Sequence, residues 1–173
     1  MTPLDDLRDW HDFFVVIGTA AAGLLGAMFV VASIGSGFLT KKDAAATRVF
    51  LTPTVIHMAT VMFGCALAVV PSLERVSFGL VFGLGGLVGL IYSCAIGLNV
   101  KQRREIDAED RLWYAALPIL GYAGATVAAL LVLWRKPAGL EILAAALVLL
   151  LAVGIRNAWD MILFFVLNAR RSN

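Results

Sequence analysis

Charge is scarce in this sequence: Asp, Glu, Lys and Arg together make up 15% of its 173 residues. A water-soluble domain needs a polar surface that so few charges cannot supply. With 61% hydrophobic residues and a mean hydropathy of +0.89, a soluble globule is excluded. Histidine is rarer still, with His11 and His57 alone. They are expected at different depths, which excludes a shared metal or a bis-histidine haem, and no HExxH sequence occurs. A single His57 ligand to haem or chlorophyll stays open on this ground. The two cysteines, Cys65 and Cys94, are likewise expected at different depths, so they read as small buried apolar residues and not as a disulfide. Residues 1–12 carry Asp5, Asp6, Asp9 and Asp12 against Arg8, the wrong sign for a secretory leader. The Gly35, Ser36, Gly37 triplet ends a helix near the surface, away from His57, and makes no hydrolase site. The sequence implies no enzyme and no cofactor.

What is abundant is uninterrupted apolar chain. Runs cover approximately 13–39, 49–70, 78–98, 112–134 and 140–167, each long enough to cross a hydrocarbon core of about 30 Å. They lack the period-2 alternation of barrel strands, and only helices or closed barrels satisfy the backbone in lipid. The expected fold is therefore a single all-α domain, a five-helix transmembrane bundle running up and down. Thr2 and Pro3 can open a short interfacial lead-in, with Asp5 in its first turn and Leu4, Leu7 and Trp10 against lipid.

Connections are short. Thr40 and Asp43 have capping-box spacing, Pro71 to Glu74 and Pro137 to Gly139 read as tight turns, and Lys101 to Arg111 reads as a solvated helix extension. Basic residues divide unevenly across five crossings. Lys41, Lys42, Arg48, Lys101, Arg103, Arg104, Arg111, Arg170 and Arg171 fall on one side, and Arg8, Arg75, Arg135 and Lys136 on the other. The richer side is expected in the cytoplasm, which puts the N-terminus outside and the C-terminus inside. Trp10, Trp113 and Trp134 then mark the interfaces. The slight excess of positive charge follows from this topology and implies no nucleic-acid partner.

Two features break the apolar pattern. Gly85, Gly89, Ser93 and Gly97 recur at every fourth position of the third run, and Gly18, Ala22 and Gly26 do so in the first. Such ridges let helices approach closely, either within one chain, between subunits of a homo-oligomer or larger membrane complex, or around a ligand-facing groove. The last run carries Arg156, Asn157 and Asp160, with Arg156 and Asp160 four apart on one face. Ionised groups in mid-membrane cost roughly 2.5 to 3.5 kcal/mol each, so they should be paired and turned from lipid.

Counting 1.5 Å per residue from the basic residue at each cytoplasmic end gives depths. His57 falls about 13 Å in, Asp160 about 15 Å, Tyr92 about 13 Å, Ser33 about 12 Å and Tyr122 about 16 Å, with Arg156 a turn deeper, near the midplane. If the last helix leaves the membrane early, Arg156 and Asp160 lie near the interface instead. One reading of this layer has Asp160 binding an ion or proton, His57 exchanging it and Arg156 tuning the carboxylate, with Asn157 and Tyr92 nearby. That is an oligomeric channel or transporter. The other reading has the same groups locking helix register in a non-transporting accessory subunit. Pro53 and Pro118 each free a carbonyl near the layer, where a bend could open a cavity.

Residues 10–31, WHDFFVVIGTAAAGLLGAMFVV, and the IRNAWD stretch from Ile155 to Asp160 resemble a family of small bacterial polytopic membrane proteins. Some of its members are labelled modulators of a membrane-bound AAA protease. The resemblance implies a bacterial inner membrane location among membrane lipids, and it transfers no functional residue.

Overall fold

The structure is a computed structural model that describes residues 7–36, 41–71, 73–102 and 108–171. Every regular element among the described residues is helical: α1 (His11–Ser36), α2 (Lys41–Ala68), α3 (Arg75–Gln102), α4 (Ala108–Arg111), a π-helical turn (Leu112–Ala116), α5 (Leu117–Leu133) and α6 (Ala138–Arg171). Four stretches are long and apolar enough to cross a membrane, namely His11–Ser33, Arg75–Leu98, Glu109–Leu133 and Ala138–Leu163. The apolar part of α2, Thr52–Ala68, is shorter at 17 residues. The expected features at Thr2, Pro3, Asp5, Thr40, Arg103, Arg104, Glu105 and Asp107 lie outside the described residues.

The helices pack in the order α3, α5, α6, α2, α1, which is not their order in the chain. Leu-rich α6 is central, gripped by α5 on one side and α2 on the other, and α1 lies against α2 and the edge of α6. Buried Leu143, Leu147, Leu150 and Val153 form its inward face, and Phe14, Met58, Val61, Phe78 and Tyr122 fill the core around it. A simple run of hairpins would place α3 beside α2. The two share a tight turn, with the Leu73 N–H donating to Val70 O at 3.2 Å, yet they diverge and α3 docks on α5. Small residues explain the choice. A side chain on Gly86 would come within 2.6 Å of Thr126, and one on Gly89 would overlap the Tyr122 ring, so α3 and α5 approach almost backbone to backbone.

Local chemistry sets the remaining joints. Pro118 lacks an N–H and would crowd the carbonyl of Tyr114 in a regular α-helix. The preceding turn widens to π geometry, with the Leu117 N–H donating to Leu112 O, and the helix continues past the proline. At the other end of α5, Arg135 adopts φ 59° and the Lys136 N–H donates to Leu131 O at 2.8 Å, which closes the helix in a left-handed cap. Gly139, expected in this turn, instead lies inside α6, where a Cβ would come 2.9 Å from the Val132 nitrogen. Its role is close approach of the hairpin's two arms.

Candidate functional site

Two polar clusters form, and they do not coincide with the single layer expected from depth alone. The first joins α2 to α5. His57, Thr60 and Tyr122 meet where the absent side chain of Gly89 admits the Tyr122 ring. His57 Nδ1 lies 2.9 Å from the Tyr122 hydroxyl, which donates to Thr60 Oγ1 at 3.4 Å, and Thr60 in turn donates to Ile56 O at 2.8 Å. Which of His57 and Tyr122 donates in their contact depends on the tautomer of the imidazole. His57 and Tyr122 are both essentially fully buried.

The second cluster sits at the start of the α4–α5 segment. The Arg156 guanidinium donates through Nη1 to Asp160 Oδ1 and through Nη2 to Glu109 Oε1, the latter at 3.1 Å. Glu109 is the first residue of its candidate span, and its side chain is 66% exposed; those of Arg156 and Asp160 are about a third exposed, at 32% and 30%. The pairing of Arg156 with Asp160 is as the four-residue spacing suggests. The link to Glu109 ties Arg156 to the first residue of the neighbouring candidate span, Glu109–Leu133. α6 is a continuous 34-residue helix, longer than a single crossing needs. Glu109 was not legible as a partner, because nothing in the sequence shows which helix the α4–α5 segment packs against.

No hydrogen bond or ion pair among the described residues connects His57 with Asp160. Of the other layer candidates, Tyr92 is half-buried on α3, a turn from Gly89, and Ser33 is exposed on α1. Asn157 is fully buried on α6, and among the described residues neither atom of its carboxamide has a hydrogen-bond partner; the same holds for the hydroxyl of buried Ser93.

The glycine ridges divide between inside and outside. Gly89 faces Tyr122, Gly97 faces Ala115 and Ile119, and Gly18 faces Cys65 at 2.9 Å for an added Cβ, all within the chain. Gly85 and Gly26 look into open space, as does Gly23. On α1, Thr19, Gly23 and Ala27 form an uncovered small-residue line, and Ala22 and Gly26 of the line read from sequence are exposed beside it, while Gly18 is covered by Cys65. Cys65 is buried and Cys94 exposed. Among the described residues no group of three or more His, Cys, Asp or Glu could hold a metal ion. No family model, no curated protein and no solved structure matches this chain.

Proposed function

We propose that the chain is a multi-pass membrane protein acting as a non-transporting subunit, which docks through α1 onto another membrane-embedded helix. The observation that carries this reading is the separation of the two polar clusters. Arg156, Asp160 and Glu109 bind one another, while buried His57 is hydrogen-bonded elsewhere. Groups so arranged fix helix register. The Thr19, Gly23, Ala27 line supports the docking role, because lipid-facing positions are usually filled by larger side chains and small residues four apart favour close helix contact.

Five crossings, with the N-terminus outside and the C-terminus cytoplasmic, suit the basic residues and give α2 a membrane-spanning part. The bacterial inner membrane is the location that the WHDFF and IRNAWD resemblance favours. A second reading, passage of protons or ions, draws support from the His57–Tyr122–Thr60 chain and the unpartnered Asn157 carboxamide.

Reconstitution separates the two. In sealed liposomes with an imposed pH gradient or voltage, the subunit reading expects no flux above empty vesicles, and stoichiometric co-purification of one partner that Gly23→Leu disrupts. A flux that Asp160→Asn or His57→Gln abolishes in folded protein would replace it with the transport reading.

A further inference from the structure

The divergence of α2 from α3 leaves a groove with a defined floor and rim. It encloses about 340 Å³, within the range of small-molecule sites. The floor is made by α5 and α6, with Tyr122, Ala125, Leu147 and Leu150 all buried. The rim is made by Phe63 and Leu67 of α2 and Val81 and Gly85 of α3, all exposed. In a chain that spans a membrane this rim opens sideways into the acyl phase, not into water.

Shape restricts what can enter. Beside Gly64 the groove is nearly shut, since a Cβ there would sit 3.3 Å from the Phe82 ring, whereas a Cβ on Gly85 would meet nothing within 4 Å. A protein helix, about 10 to 12 Å across with its side chains, cannot wedge between two helices that touch at one end. A hydrocarbon chain can. Along α2 the lining runs from Ile56 to Leu67, about 16 Å of helix. One leaflet of a hydrocarbon core of about 30 Å has nearly that depth. The hydroxyls at the floor do not ask for a polar ligand, because Tyr122 and Thr60 donate to acceptors within the chain.

We infer that the α2–α3 groove is a specific site for one hydrocarbon chain of a membrane lipid, which enters past Phe63 and Gly85 and lies on Ala125 and Leu150. The inference rests on the membrane-spanning part of the reading above and is independent of the docking role of α1. The bound chain completes the packing that α3 forgoes by docking on α5, replacing contacts that an empty groove would lack.

The test uses the full chain in phosphatidylcholine vesicles doped with a phospholipid bearing a diazirine in its acyl chain, with adducts mapped after irradiation. Labelling of Ala125, Leu147 and Leu150 is expected. All three are at most 8% exposed, so ordinary boundary lipid reaches them poorly. Gly85→Phe should reduce those adducts several-fold and leave labelling of Leu84 and Ile91, on the far face of α3, unchanged. Because the Gly85 position is open, the phenyl ring can occupy the groove without displacing backbone. Should that variant lose its helical circular dichroism, Gly85→Val serves with the same expectation. Adducts confined to Leu84, Ile91 and other boundary positions, or floor adducts insensitive to filling the groove, overturn the inference. So does a disulfide between two copies through Gly85→Cys that excludes the lipid adduct. Absence of labelling everywhere would instead reject the membrane-spanning reading itself, on which the site depends.

Discussion

The ring of Tyr122 occupies the space that a side chain on Gly89 would need, and its hydroxyl meets His57 Nδ1 at 2.9 Å. One missing Cβ thus joins three helices, since α3 can approach α5 only because Gly89 yields the room, and α5 then reaches α2 through the buried hydrogen bond. Sterics and hydrogen bonding at this point have different magnitudes. Overpacking a filled interior costs about 1 to 3 kcal/mol, whereas an interhelical hydrogen bond in a membrane contributes roughly 0.6 kcal/mol. Gly89→Ala should therefore destabilise the protein more than Tyr122→Phe, which keeps the ring and removes only the hydroxyl. Thermal unfolding of the purified variants in detergent gives the order. Equal losses, or a larger one for Tyr122→Phe, would mean that the hydroxyl chain and not the ring contact governs this joint.

Arg156 is a charge with two acceptors, Asp160 and Glu109. If it lay at the midplane, removing Asp160 would leave an uncompensated buried charge and cost about 3 to 5 kcal/mol. With its side chain 32% exposed and Glu109 retained as a second partner, the cost should be near the value of a surface pair, about 0 to 1 kcal/mol. The expected result is a small destabilisation for Asp160→Asn or Glu109→Gln alone, a larger one for the pair, and a decrease of both effects as salt rises. Denaturation at low and high ionic strength checks it, and a salt-independent loss of several kcal/mol in either single variant would place the cluster deep in the membrane.

How far the sequence could be read follows from the range of the forces involved. Apolar runs are local, so the helical class and the approximate positions of the long helices were legible from composition and length alone. The pairing of Arg156 with Asp160 was legible too, because four residues of helix fix it. Which helices touch was not. The preference of α3 for α5 depends on Gly86 meeting Thr126 and Gly89 meeting Tyr122, contacts between positions about 40 and 33 residues apart. For the same reason the depth ruler put His57 and Tyr122 near one level, where they meet, but could not show that Arg156 also reaches Glu109 on another helix. Periodicity likewise marked Gly85 and Gly26 as ridge members but could not distinguish a glycine that receives a neighbour from one that faces open space.

The hairpin between α5 and α6 turns on a residue in an uncommon conformation. Arg135 has a φ of 59°, where an L side chain costs roughly 1 to 2 kcal/mol and glycine is at ease. The side chain is exposed, so little packing is lost with it. Replacement by glycine should stabilise the fold by up to about 1 kcal/mol, whereas Arg135→Val should destabilise it, since β-branching is least tolerated at positive φ. The two variants moving melting temperature in opposite directions is the expected signature. A stability unchanged by either would indicate that the turn does not keep its left-handed cap.

Asn157 poses a choice between specificity and function that a single substitution can resolve. Its carboxamide is wholly buried on the central helix, and among the described residues neither polar atom is hydrogen-bonded. Burying an amide without partners costs about 1 to 3 kcal/mol by mutational measures, and that cost disappears if the group is replaced by an apolar one of similar size. Leucine has the same branched skeleton of four heavy atoms with somewhat bulkier ends, and Ala158, Met161 and Val153 beside it in the chain already line an apolar interior. Asn157→Leu should accordingly raise the unfolding midpoint, by the equivalent of about 1 kcal/mol, with the helical content unchanged. Asn157→Asp should lower it, because an ionised carboxylate cannot be left unpaired at that site. Were leucine instead to destabilise the bundle while serine or glutamine restored it, the carboxamide would be serving a polar partner in the working protein. The core of α6, and not the Arg156 cluster, would then be the place to look for transport.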